Sequence, residues 1–68
     1  MDEVTVDDRG IRLGQLLKLA GLVDSGADAK PALASGSVTV NGEAELRRGR
    51  QLQRGDVVRW AGRTVRVG

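Results

Sequence analysis

The chain contains 68 residues, of which eleven are basic and nine acidic, so its net charge at neutral pH is only +2. A chain this short forms a single domain with a thin core, because it buries only about 60% of the surface that its unfolded form exposes. Cysteine is absent, which excludes disulfides and thiolate zinc sites, and no apolar run is long enough to cross a membrane, so we expect one cytoplasmic domain over residues 1–68.

The first predicted elements are a short edge strand and an amphipathic helix. Residues 4–6 alternate as strands do, and residues 7–10 are typical of a turn. In the helix, four apolar residues recur at i, i+3, i+4 and i+7 and share one face. Gly21 ends this helix in the left-handed conformation, with Leu22 folding back onto it. The apolar face comprises Leu13, Leu16, Leu17 and Ala20, while Arg12, Gln15 and Lys18 lie nearer solvent.

A second helix is predicted between Ser25 and Gly36. The Ser25 hydroxyl is expected to accept a hydrogen bond from the backbone three residues on, while Asp28 reaches back in a variant of the capping box. Pro31 lies beyond the first turn, where it removes a backbone donor and clashes with the preceding turn. We therefore expect this helix to be kinked or weak. Its face toward the first helix carries Ala29 and Leu33.

The Asn41-Gly42 pair lies between valine-rich alternating residues, which is a strong hairpin signal. A two-residue loop would place the preceding valines beside Glu43 and Glu45. A three-residue loop instead places them beside Ala44 and Leu46. Because the second arrangement keeps apolar side chains together, a bulged three-residue loop is predicted.

The remaining residues predict an irregular basic connection and a last hairpin. The connection runs over residues 47–54, with Leu52 as its one apolar anchor. Strands at 56–60 and 63–67 then pair through Ala61-Gly62. The whole chain is predicted to be an α+β domain, with two N-terminal helices packed on a small, mostly antiparallel sheet. In the last hairpin, Val58, Trp60, Val65 and Val67 are expected to be buried, and Arg59 and Arg66 to face out.

Few side chains in this sequence are suited to catalysis. Histidine, cysteine and tyrosine are absent, which removes the usual proton shuttles and nucleophiles. The Asp7-Asp8 doublet is better explained as solvated charge than as an acid/base or magnesium pair. The glycines at positions 10, 14, 21 and 26 lack the spacing of a phosphate-binding loop and are interpreted as turn and cap positions. We expect no enzymatic activity, metal or cofactor.

Positive charge is concentrated in the second half of the chain. Residues 1–30 carry four basic and six acidic side chains, whereas residues 31–68 carry seven arginines and three acids. The arginines of residues 47–54 have almost no acidic neighbours to neutralise them, and guanidinium groups suit bidentate contact with phosphate. These arginines predict a surface that binds nucleic acid. The alternative is that they form a solvated, charged strand edge that prevents aggregation. The candidate RNA-binding residues are Arg12, Lys18, Lys30, Arg47, Arg48, Arg50 and Arg54.

The aromatic content indicates which nucleic acid fits. Proteins that bind single strands stack bases on aromatic side chains, and this chain has one aromatic residue, Trp60, which is expected in the core. The remaining mode is recognition of shape and phosphate, which suits structured RNA. We therefore expect a monomer that binds folded RNA without direct reading of bases.

A family resemblance supports this interpretation. A leucine-rich first helix is followed by Gly21-Leu22-Val23, by Val38-Thr39-Val40-Asn41-Gly42 and by Gly55-Asp56. Together these motifs resemble the RNA-binding domain named after small-subunit ribosomal protein S-four, also called the alpha-L motif. The resemblance spans about residues 11–58. Glu45-Leu46-Arg47-Arg48 also fits the small bacterial proteins that consist of little more than this domain.

The resemblance implies binding of ribosomal or transfer RNA through the two helices and the adjoining loop, with the ribosome or a ribosome-associated protein as a further partner. The family commonly carries an arginine directly after the serine and further basic residues along the second helix. This chain has Gly26, Pro31, Ala34 and Thr39 at those positions, and only Lys30 fits the basic pattern. Either binding has moved toward residues 47–54, or the fold binds RNA with reduced affinity.

Two other functions stay open at this point. A protein-interaction module would dock through the helix pair, with Leu19 or Leu22 supplying apolar contact. A sulfur carrier of the β-grasp type would need a flexible Gly-Gly tail, and Val67-Gly68 supplies one glycine. We rank the sulfur carrier below the other hypotheses.

Overall fold

The structure is a computed structural model that describes residues 2–68. Its helices and strands are β1 (Asp2–Val4), β2 (Ile11–Arg12), α1 (Leu13–Leu19), α2 (Gly26–Ala34), β3 (Thr39–Val40), β4 (Glu43–Ala44), β5 (Gln51–Leu52), β6 (Val57–Trp60) and β7 (Arg63–Val67). The main sheet has the strand order β1-β7-β6-β3-β4, and β2 pairs separately with β5. Among the described strands only β1 is parallel to its neighbour. The predicted α+β class is thus confirmed.

The helix pair and the inner face of the sheet enclose one core. The three leucines of the predicted α1 face are buried and Ala20 is half-buried, while Ala29 and Leu33 of α2 are buried as expected. Trp60 packs against this core and is half-buried, so its predicted burial is confirmed in part. No described helix has the length and apolar character needed to cross a membrane. Buried apolar residues are Leu13, Leu16, Leu17, Ala29, Ala32, Leu33, Val38, Val40, Leu52, Val58, Val65 and Val67.

Glycines end both helices, as the sequence predicts. Gly21 has φ 72°, and the N–H of Leu22 donates to the Leu17 carbonyl at 2.9 Å, which is the pattern of a Schellman cap. At the start of α2 the prediction fails, because the Ser25 hydroxyl accepts no backbone hydrogen bond. It donates instead to the Asp28 carboxylate at 3.2 Å.

The hairpin at Asn41-Gly42 has a two-residue loop, so the predicted bulged loop is wrong. Val40 pairs directly with Glu43, and both loop residues have positive φ, 53° and 85°, as a type I′ turn requires. In this register Leu46 is 61% exposed and Glu45 is buried. The turn geometry prevails over apolar burial because backbone and guanidinium groups of the following residues donate hydrogen bonds to the buried Glu45 carboxylate, as described below.

The last hairpin is confirmed, with Trp60 opposite Arg63 across the Ala61-Gly62 turn. The N-terminal edge strand occupies residues 2–4 rather than the predicted residues 4–6. The pairing of β2 with β5 was not predicted. It places Ile11 opposite Leu52, so the predicted apolar anchor also fixes the basic connection beside the start of α1.

Candidate nucleic-acid interface

The loop of residues 46–50 caps the N-terminus of α1. The Leu13 N–H donates to the Arg50 carbonyl at 2.8 Å, and the Gly14 N–H donates to the Arg48 carbonyl at 2.9 Å. Gln15 completes the start of the helix, since its Oε1 accepts from the Arg12 N–H at 3.1 Å. These three backbone N–H groups therefore already have acceptors, and the side chains of this surface are the candidates for binding an anion.

Arg48 lies across the first turn of α1. A Cβ at Gly14 would overlap Cγ of Arg48 and would lie 3.0 Å from its Cδ, so the aliphatic stem of the arginine packs on bare helix backbone. Long basic side chains commonly cover apolar surface in this way while the charged group stays in water. Gly14 is thus not the turn or cap position that the sequence analysis assigned. It is the residue that lets Arg48 approach the helix.

Three basic side chains converge at this point. Arg12, Lys18 and Arg48 line a groove of about 340 Å³ together with Gly14, Gln15 and Gly49. We call this surface the α1 groove. Its three cations come from the residue before α1, from the last turn of α1 and from the loop of residues 46–50. Within residues 2–68, none of the three forms an ion pair.

Glu45 forms ion pairs with two neighbouring arginines. Its carboxylate accepts from Arg47 Nη2 at 3.1 Å and from Arg50 Nη1 at 3.2 Å. It also accepts from the backbone N–H groups of Leu46 and Arg47 at 3.0 and 3.2 Å. The hydrogen bonds from Arg47, followed by those from Arg50, lower the pKa of Glu45 from 4.5 to about 2, although burial acts in the opposite direction. The same pair raises the pKa of Arg47.

Other predicted site residues have different surroundings. Arg54 pairs with Asp8 at 3.0 Å and donates to the Val6 carbonyl. Lys30 is exposed on α2 and does not line the α1 groove. The expectation that the arginines of residues 47–54 lack acidic neighbours is wrong in three dimensions, because the chain folds Glu45 and Asp8 against them. Arg47 keeps a 77% exposed side chain despite its ion pair, so it still contributes positive potential beside the groove.

The comparisons with known proteins agree with the fold and its motifs. The S4 domain family matches residues 4–68. The chain belongs to this family. It is 49% identical over 55 residues to the "Probable ribosome maturation protein RlbA" of Bacillus subtilis, an alignment that covers 81% of this chain and 78% of that protein. It is 44% identical over 57 residues to YbcJ of Escherichia coli, with 84% and 81% covered.

A solved structure supports the same assignment. The solution structure of YbcJ from E. coli is described as revealing an alfaL motif involved in RNA-binding. It superposes on this S4 domain with a TM-score of 0.75 at 38% sequence identity, covering 98% of this chain and 86% of that one. The predicted family resemblance is therefore confirmed.

The two strongest motifs of this S4 domain stabilise the fold. Asn41 Nδ2 donates to Asp56 Oδ1 at 3.0 Å, and Asn41 Oδ1 accepts from the Val57 N–H at 2.9 Å. The other carboxylate oxygen of Asp56 accepts from the Gln53 N–H at 2.8 Å. Val-Asn-Gly and Gly-Asp thus join two turns that are distant in the sequence. Their role in this structure is architectural, and they do not line the α1 groove.

Sequence reasoning missed Gly14 and Glu45 as contributors to the site. The signal for Glu45 was the two-residue register of the Asn41-Gly42 turn, in which Glu45 follows β4 directly, lies opposite Val38 and is buried. No comparable signal identifies Gly14, because its partner Arg48 is distant along the chain. The Asp7-Asp8 doublet is engaged by arginines, with Asp7 accepting from Arg9 at 3.3 Å, which fits its interpretation as surface charge.

Proposed function

We propose that this protein binds structured RNA, of the ribosomal or transfer class, through the α1 groove. The observation that carries the proposal is the convergence of three cations without ion pairs among residues 2–68 on one concave surface. Phosphate is the natural ligand for such a set, because each phosphate that is neutralised releases counterions from the RNA. Arg47, Arg50, Arg54 and Lys30 stay predictions as additional RNA-binding residues around this centre.

Recognition would depend on phosphate position and RNA shape. Arg12 and Arg48 offer planar guanidinium groups, which bind phosphate in a bidentate manner, and Lys18 adds a compact charge. Trp60 lines a different depression, with Leu22 and Asp24 among its neighbours, so it is not positioned to stack bases in the α1 groove. This arrangement favours folded RNA, whose backbone geometry is fixed, over flexible single strands.

The relatives support the choice of RNA. RlbA is named for ribosome maturation and YbcJ is described with an RNA-binding motif, and this chain shares their fold and much of their sequence. We further propose a cytoplasmic, monomeric binding module over residues 1–68, with the ribosome or a ribosome-associated protein as a further partner. We propose a binding role without enzymatic activity.

A salt titration with matched variants tests the proposal. A fluorescein-labelled transfer RNA transcript is titrated with the wild-type protein and with the double variants Arg12→Gln/Arg48→Gln and Arg63→Gln/Arg66→Gln. Both variants remove two positive charges, but only the first alters the α1 groove. For the groove variant, the slope of log affinity against log salt should fall by roughly 0.7 to 0.9 for each phosphate that is no longer neutralised. The Arg63→Gln/Arg66→Gln variant should keep the wild-type slope.

Equal effects of the two double variants would show that net charge alone drives binding and would contradict the groove. A DNA oligonucleotide with the sequence of the transfer RNA transcript provides a second control. Because DNA lacks the 2′-hydroxyl and the A-form geometry, we expect it to bind more weakly than the RNA.

A protein-interaction module is the second candidate, and the exposure of Leu19 favours it. This side chain is 66% exposed and lines a depression with Ile11 and Lys18. Capture of a partner protein that resists ribonuclease and is abolished in Leu19→Ser would favour this function. Under the RNA proposal, Leu19→Ser leaves RNA affinity unchanged.

A further inference from the structure

Glu45 is the buried charged side chain of the described residues, with 7% exposure. Burial of a carboxylate is unfavourable unless hydrogen bonds compensate it, and here two backbone N–H groups and two guanidinium groups provide them. All four donors belong to residues 46–50. The carboxylate therefore binds the first two residues of the loop that carries Arg48, and also Arg50 at the end of this loop.

The other attachment of this loop is α1. The carbonyls of Arg48 and Arg50 accept from the first backbone N–H groups of the helix. Arg48 takes part in the α1 attachment through its own carbonyl, and its stem rests on Gly14. A loop fixed at both ends loses little conformational entropy when its central side chain binds a ligand. Loss of the Glu45 contacts would leave the loop attached to α1 alone.

From this geometry we propose that Glu45 is a positioning residue for RNA, which holds Arg48 in the α1 groove while pairing with Arg47 and Arg50. The proposal rests on the proposed function of the α1 groove. It predicts a change in RNA affinity that is opposite in sign to the change expected from electrostatics alone. Removing a negative charge from a basic surface should strengthen RNA binding, whereas removing the hydrogen bonds that position the loop should weaken it.

Glu45→Gln is the principal variant, and Glu43→Gln is its matched control. Glu43 is exposed on β4 of the same hairpin, so its variant removes the same charge without touching the loop. With the transfer RNA transcript as probe, we expect Glu43→Gln to bind as tightly as the wild type or up to about twofold tighter. We expect Glu45→Gln to bind about fivefold to tenfold more weakly, the size typical of coupled neighbours.

A double-mutant cycle separates positioning from a general structural effect. Arg48→Gln is measured in the wild-type and Glu45→Gln proteins. If Glu45 acts through Arg48, the second substitution should cost little in the protein that already lacks Glu45. Amide NMR spectra check that each variant is folded. If Glu45→Gln does not fold, the same cycle is run on Glu45→Asp, which keeps the charge but shortens the side chain.

The outcomes are distinct. Weaker binding with a non-additive cycle supports the positioning role. Wild-type or tighter binding by Glu45→Gln, or a fully additive cycle, overturns it and leaves the α1 groove intact. If Arg48→Gln alone leaves RNA affinity unchanged, the proposed groove fails and the positioning role fails with it.

Discussion

Two arginine-bearing regions of this molecule, the β1–β7 pair and the α1 groove, are built differently. At the edge of the main sheet formed by β1, Arg63 of β7 pairs with Asp2 at 3.0 Å and Arg66 of β7 pairs with Glu3. These ion pairs join strands from the two ends of the chain. At the α1 groove, Arg48 packs on the helix backbone and has no acidic partner among residues 2–68. The number of arginines in a segment therefore does not show which of them lack an acidic partner. That depends on the residues that the fold brings against them.

The largest expected effect concerns the anchor of the basic connection. Leu52 is fully buried in β5, whereas Leu46, six residues earlier, is 61% exposed. Leu52→Ala should lower the free energy of unfolding by about 2–5 kcal/mol, because it removes transfer free energy and leaves a cavity. Leu46→Ala should change it by less than about 0.5 kcal/mol. Urea denaturation of both variants measures the difference, and similar decreases would contradict the described register.

Much of the fold follows from local patterns in the sequence. The apolar spacing in α1, the glycine after each helix and the Ala61-Gly62 hairpin are all determined by neighbours within a few residues, and the structure confirms each of them. The β2–β5 ladder depends on residues about forty positions apart. No local periodicity encodes such a pairing, so it was not predicted.

The candidate site was less predictable because long-range partners determine it. Arg47, Arg48 and Arg50 are nearly equivalent in the sequence, but two of them pair with Glu45 and one packs on Gly14. The hairpin parity that decides this was predicted wrongly, since apolar burial was given more weight than the preference of Asn-Gly for a two-residue turn. A buried glutamate with nearby arginines satisfies the same register without an apolar side chain.

The next prediction tests the close packing of Arg48 in the α1 groove. Gly14→Ala places a methyl group where the Arg48 stem lies, whereas a Cβ at Gly49 meets no atom within 4 Å. Displacement of Arg48 should weaken binding of the transfer RNA transcript by about threefold to tenfold, which corresponds to the net contribution of about one ordinary hydrogen bond. Gly49 also lines the α1 groove, but Gly49→Ala displaces no atom of Arg48 and should therefore weaken binding less than Gly14→Ala does. Equal RNA affinities for the two variants would show that the position of Arg48 over the helix is unimportant.

A smaller effect is expected from acid. The folded state lowers the pKa of Glu45 from 4.5 to about 2, so the ionised carboxylate stabilises the native protein fully above pH 4.5. This contribution disappears progressively as the pH falls from 4.5 toward about 2. Urea midpoints across that window should fall more steeply for the wild type than for Glu45→Gln. Parallel pH profiles would contradict the described network.

The smallest effect is expected at the sheet edge. Arg66 and Glu3 have side chains that are 55% and 46% exposed, and solvent screens an exposed pair so that it contributes less than about 1 kcal/mol. The free energy of unfolding of Arg66→Gln, measured in urea, should therefore differ from that of the wild type by less than about 1 kcal/mol. The RNA affinity of Arg66→Gln should change far less than that of Arg48→Gln. Both variants remove one positive charge, but Arg66 is paired with Glu3 whereas Arg48 packs on Gly14. An equal decrease in RNA affinity for the two variants would therefore contradict the assignment of RNA binding to the α1 groove.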